Sequence, residues 1–154
     1  MKTELLPYQQ EAVNKLKRLK VGALYMEQGT GKTRTALEIA TLRLASGKVN
    51  KVLWLCPCSV RTNLQEDITY HMGGFPVREI GIYGIESLSS SGILFARLLE
   101  VVQRNKVFLI IDESSLVKNH AAIRTERIKE LGEHCPYRMI LNGTPVSKNE
   151  ADLF

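Results

Sequence analysis

The segment Gly29-Thr30-Gly31-Lys32-Thr33 places two glycines, an ammonium group and a hydroxyl within five residues. Glycines let a backbone curl until several N–H groups converge on one point, and at the start of a helix such a curl suits an anion rich in oxygen. Lys32 adds a cation for the β and γ phosphates of a nucleoside triphosphate, and the Thr33 hydroxyl can ligate magnesium. The expected ligand is ATP with Mg2+. Met26 stands where the full phosphate-loop pattern G-x-x-x-x-G-K-[ST] has its first glycine, so the core G-x-G-K-T remains. A second pair of candidates, Asp112-Glu113, follows the apolar run Val107-Phe108-Leu109-Ile110-Ile111. An aspartate there can hold magnesium, and a neighbouring glutamate can orient and deprotonate an attacking water. The plainer alternative is that two carboxylates solvate a strand end.

The elements that must position these residues alternate regularly. A helix is expected over residues 7 to 19, with Pro7 at its start and Tyr8, Ala12, Val13, Leu16 and Leu19 at helical spacing. Its Lys15, Lys17, Arg18 and Lys20 read as a solvated face rather than a basic patch. Val21 to Met26 reads as a buried strand ending at the glycine loop, and a helix runs from Lys32, with Ala36, Leu37, Ala40 and Leu44 on one face and Ser46-Gly47 closing it. Strands follow at 52–56, 77–83, 107–111 and 137–141, with helices at 63–70, 92–103 and 120–131. Such βα repetition implies an α/β fold whose mainly parallel sheet carries helices on both faces. The carboxyl edge of such a sheet is where ligands bind, and both chemical clusters fall there. Ser147-x-x-Glu150 is a capping-box pattern close to Phe154, so a fragment of a longer chain is expected.

Composition excludes other classes. At 154 residues, with 44% hydrophobic and 24% charged residues, the chain suits one packed domain rather than a disordered segment. No apolar run approaches the roughly 20 residues of a membrane span, and no signal peptide opens the chain, so a cytoplasmic location, or nuclear in a eukaryote, is expected. Cys56, Cys58 and Cys135 read as reduced structural thiols, since C-x-C is not a usual zinc spacing. A formal charge of +5 is compatible with nucleic acid without being diagnostic.

Four segments in order resemble the motifs of superfamily-two helicases, and within them the Snf-type, chromatin-remodeller-like DNA translocases: Leu6-Pro7-Tyr8-Gln9, Glu27 to Thr33, Asp112 to Asn119, and Leu141 to Asn149. The resemblance spans essentially the whole chain and implies the first RecA-like, three-layer ATP-binding lobe of such a motor. It assigns Gln9 to reading adenine, and Glu27, Gln28, Gly29, Thr30, Gly31, Lys32 and Thr33 to the nucleotide. Asp112 goes to the metal and Glu113 to activating water. Thr144, with Ser115 behind the acidic pair, couples nucleotide to nucleic acid. Pro57-Cys58-Ser59-Val60 resembles a segment touching the nucleic-acid backbone, and Gly84-Ile85-Glu86-Ser87-Leu88 weakly resembles the next. Taken alone, Gln9 would read as a surface helical glutamine and Asn142 to Pro145 as a turn. Ser115, Leu64 and Asn142 depart from the histidine, tryptophan and threonine common in the family.

The implied partners are double-stranded DNA and a second RecA-like lobe, whose arginine stabilises the transferring phosphoryl group. Such an arginine can be worth roughly a thousandfold or more in rate, so the chain alone is expected to bind ATP and hydrolyse it feebly. Competing readings are a DNA or RNA helicase of another superfamily-two branch and a nucleotide-dependent binding module without turnover. A small-molecule kinase would leave Gln9, Asp112-Glu113 and Thr144 unexplained together.

Overall fold

A computed structural model of the chain describes residues 1–112 and 122–143. Five parallel strands form one sheet in the order β1-β5-β4-β2-β3. They are β1 (Val21–Tyr25), β2 (Lys51–Cys56), β3 (Ile80–Gly84), β4 (Val107–Asp112) and β5 (Tyr137–Asn142). The described helices are α1 (Pro7–Leu16), α2 (Lys32–Ala45), α3 (Arg61–Met72), α4 (Ile85–Ser90), α5 (Gly92–Arg104) and α6 (Ala122–Glu133).

Side-chain alternation along the central strands divides the core in two. Val52, Trp54, Cys56, Phe108 and Ile110 face a cluster with Val13, Leu37, Ile39, Leu64 and Ile68 from α1, α2 and α3. Leu53, Leu55, Val107, Leu109 and Ile111 face Leu88, Leu98, Val102, Ile128 and Leu131 from α4, α5 and α6. Both faces of β2 and β4 are therefore covered, which is why these strands read as continuous apolar runs. The helices α2 and α3 carry the chain along the sheet on one face, and α4 to α6 return it on the other, as right-handed crossovers demand.

Several expected boundaries shift. The first helix stops at Leu16, where Lys17 N–H still bonds Val13 O and Leu19 N–H closes a turn on Leu16 O. The strand expected from residue 77 begins at Ile80, because Glu79 and Ile80 both donate to Pro76 O in a turn that leaves Val77 exposed. The helix α4 was not foreseen: six residues are too short for a helical period to show. The basic residues near α1 do form a solvated face, with Lys15 paired to Glu11 and Lys17 donating to Asn14.

A buried arginine ties the layers together at the end of the sheet opposite the glycine loop. Arg43 of α2 is 2% exposed, and its guanidinium carbon lies 4.2 Å from the Phe108 ring centroid and 4.5 Å from that of Tyr137. Its Nη2 donates to Leu16 O at 3.3 Å and Leu19 O at 2.6 Å, carbonyls at and just past the carboxyl end of α1, where a cation is favoured. Burial pushes its pKa down to about 10, so it remains charged at neutral pH.

Candidate nucleotide site

The register brings Asp112 and the start of the glycine loop to one edge. Tyr25 of β1 pairs with Asn142 of β5, and Leu141 of β5 pairs with Asp112 of β4, so three strand ends lie side by side. The glycine loop leaves β1 and enters α2 at this edge. Met26 N–H extends the β1–β5 ladder to Asn142 O at 3.1 Å.

Within the loop, Thr30 closes a turn on Glu27 O through both its N–H and its hydroxyl. Gly29 and Gly31 take φ of +83° and +84°, the left-handed region that costs any residue with a Cβ. Gly31 has a second constraint, since a Cβ there would lie 2.0 Å from Gln9 Nε2. Gln9 is not a surface residue: it is 4% exposed, its Oε1 accepts the Leu6 N–H at 2.9 Å and its Nε2 donates to Thr30 O at 3.1 Å. One carboxamide thus caps α1 and grips the glycine loop, retaining one donor and one acceptor site for a further partner. Tyr8 adds a hydroxyl bond to the same Thr30 carbonyl at 2.7 Å, a contact the sequence left without a role.

Lys32 and Asp112 converge from α2 and β4, with Nζ and Oδ1 3.4 Å apart and both side chains largely buried. They line a cavity of about 370 Å³ together with Gln28, Gly29, Gly31 and Thr33. Its far wall is α3, through Asn63, Leu64, Asp67 and His71. An ammonium, a hydroxyl, a carboxylate and a curled glycine backbone around one cavity form a donor set that fits a magnesium–triphosphate. Glu27, Gln28 and Gly29 are exposed, and the latter two line the cavity.

Arg34, one residue beyond Thr33, was not singled out by sequence. It is 5% exposed, donates to Thr3 Oγ1 and Thr3 O at 2.8 and 2.7 Å, and pairs with Glu38 at 2.8 Å. Thr3 Oγ1 also lies 2.8 Å from His71 Nδ1, so the first turn of α2 is tied to α3 through the N-terminal segment. Burial, and then the charge of Arg34, hold the His71 pKa below its ordinary value. No local pattern announces this network, because its members lie 31 and 68 residues apart.

The structure separates the other expected residues. Pro57 is buried, so it shapes the turn after β2 rather than offering a surface, while Ser59 and Val60 are exposed. Cys58 is also exposed, unlike the buried Cys56 and Cys135, and is no core thiol. Among the described residues no group of three or more His, Cys, Asp or Glu side chains could hold a metal, and no helix is long and apolar enough to cross a membrane. Glu113, Ser115 and Thr144 lie outside the described residues, as does the capping pattern Ser147 to Glu150.

Residues 2–73 match a family model described as the type III restriction enzyme, res subunit. No curated protein matches the chain. Among solved structures, a Sulfolobus solfataricus SWI2/SNF2 ATPase core in complex with dsDNA is similar over 100% of this chain and 35% of its own, with 22% identity and a TM-score of 0.78. The SWI2/SNF2 ATPase core domain from the same organism is similar over 95% of this chain and 32% of its own, at 24% identity and a TM-score of 0.75. The UvsW helicase of bacteriophage T4 is similar over 92% of this chain and 53% of its own, at 15% identity and a TM-score of 0.69. The chain therefore spans about a third of the length of the two ATPase cores. The chain has a RecA-like α/β fold, similar essentially throughout to part of a SWI2/SNF2 ATPase core.

Proposed function

We propose that the chain is the ATP-binding lobe of a Snf-type DNA-dependent ATPase, in which hydrolysis drives movement along double-stranded DNA. The observation that carries this reading is the approach of Lys32 to Asp112 beside the two left-handed glycines, all opening on one cavity. In this reading the loop amides and Lys32 hold the phosphates, Thr33 and Asp112 hold magnesium, and Gln9 offers its remaining donor and acceptor to adenine. Bound magnesium would neutralise charge on the phosphate oxygens. Glu113 activates water and Thr144, with Ser115, links this site to DNA. The carboxyl edge after β2, where Ser59 is exposed, contacts the nucleic-acid backbone.

The complex of a similar ATPase core with dsDNA supports DNA as the partner, and the formal charge of +5 is compatible with it. The reading predicts that the chain binds duplex DNA in preference to duplex RNA, with an affinity that falls as salt rises. Anisotropy titrations of labelled duplexes test it; preference for duplex RNA, or no binding at low salt, overturns it. The likeness to the UvsW helicase favours a second reading, a strand-separating helicase of another superfamily-two branch. Preference for forked or single-stranded over fully paired DNA would select that reading.

A further inference from the structure

The turn after β2 and the helix after β3 are joined by contacts outside the strand pairing, and Val60 at the end of that turn also lines the nucleotide cavity. These two strands pair in parallel up to Cys56 and Gly84, so the residues that follow emerge side by side at the carboxyl edge. Pro57 turns the chain into the 3-10 segment Cys58–Val60. The Cys58 N–H opens that segment and points out of it, as first-turn N–H groups do. It donates to Glu86 Oε2, 28 residues away, at 2.8 Å.

Gly84 makes the same junction tight. Its φ of −74° and ψ of 133° are ordinary extended values, so its lack of a side chain serves space rather than conformation. A Cβ there would lie 2.1 Å from Cys58 Sγ and 3.4 Å from Cys58 Cα. Glu86 is half-buried. Burial alone would raise its pKa, but hydrogen bonds from Cys58 and the nearby charge of Arg124 outweigh burial and lower it, so Glu86 is an anion at neutral pH. Behind it, α6 grips α4: Arg124 Nη2 lies 3.4 Å from Ser89 Oγ, and Arg127 Nη1 donates to Leu88 O.

We propose that Glu86 is a positioning residue for the nucleic-acid face: its carboxylate holds the Cys58–Val60 turn against Gly84, so that this turn meets a DNA backbone in one fixed arrangement. The inference rests on the reading of this edge as the DNA-contacting face. Its sign is informative. A carboxylate beside phosphates repels them by charge, so a residue acting only through charge would weaken binding, whereas a strap strengthens it by fixing the turn.

The test uses the 154-residue chain, with duplex DNA affinity and ATP affinity measured for each variant. Glu86→Gln keeps an acceptor oxygen at the same reach and should bind DNA like the parent or more tightly. Glu86→Asp keeps the charge but is one methylene short of Cys58. It and Glu86→Ala should weaken DNA binding roughly tenfold, the scale of one lost charge-assisted hydrogen bond, and should change ATP affinity less than DNA affinity. If Glu86→Ala fails to fold, the Asp and Gln variants carry the same contrast. DNA affinity equal to or above the parent's for Glu86→Asp, or a loss for Glu86→Gln as large as for Glu86→Asp, overturns the proposal. A thiol-directed photo-cross-linker on exposed Cys58 tests the underlying face separately. Cross-linking to DNA with no effect of Glu86 leaves the face standing and removes Glu86. No cross-link and no DNA binding removes both.

Discussion

Gly31 carries two constraints that act through different physics. Its φ of +84° would cost an L-residue about 1–2 kcal/mol, and a Cβ would strike the Gln9 amide at 2.0 Å. Gly31→Ala should therefore lower stability by at least that amount in a urea titration and weaken ATP binding through the displaced Gln9. Gly29 has the same conformation with open space around it, so Gly29→Ala should lose stability by the conformational term alone. Equal effects of the two substitutions would show that the Gln9 contact is not structural. The loop was legible in sequence because glycine freedom and lysine charge are properties of the residue types themselves. The double grip of Gln9 was not, because its burial depends on how α1 settles over a loop 21 residues away.

At the scale of elements, Arg43 fastens α1 and α2 to the far end of the sheet. Arg43→Ala removes two aromatic contacts and two carbonyl bonds from a buried site, and should cost about 2–5 kcal/mol by chemical denaturation. ATP affinity should hold wherever the variant remains folded, because Arg43 lies at the opposite end of α2 from Lys32. Loss of ATP affinity in folded protein would contradict that separation. The strands that hold Cys56 and Cys135's neighbours also set a pH response. Burial pushes both thiols up to about 12, above the usual value near 9. The folded state then keeps protons that the unfolded state releases. This contribution is intact below about pH 9 and falls as pH rises toward 12, by up to about 1.4 kcal/mol per thiol per pH unit. A thiol reagent near pH 8 should modify only Cys58 in the native chain and all three cysteines in denaturant; rapid modification of a second native thiol would refute the assigned burial. Element identity was legible wherever an apolar run was long, as in β4. The helix α4 escaped because its six residues hold too little pattern, and the contact of Glu86 with Cys58 escaped with it.

Across the whole molecule, the sheet order places the strand end after β5 between the glycine loop and Asp112. Helical and strand periods announced a parallel α/β sheet, but not the order of its strands, which follows from long-range pairing. If residues 1–154 form one lobe of such a motor, as proposed, they supply one side of the nucleotide site, and their ATP hydrolysis should be slow with or without duplex DNA, by roughly a thousandfold or more relative to a complete motor. Rapid DNA-stimulated turnover by the chain alone would contradict that. The most direct test of the ATP site is calorimetric titration of the chain and its Lys32→Ala variant with ATP, with and without magnesium. One saturable site, weakened at least tenfold by Lys32→Ala and weakened again when magnesium is chelated, is the predicted result. Absence of saturable binding, or binding that Lys32→Ala leaves unchanged, would contradict the assignment of the glycine loop.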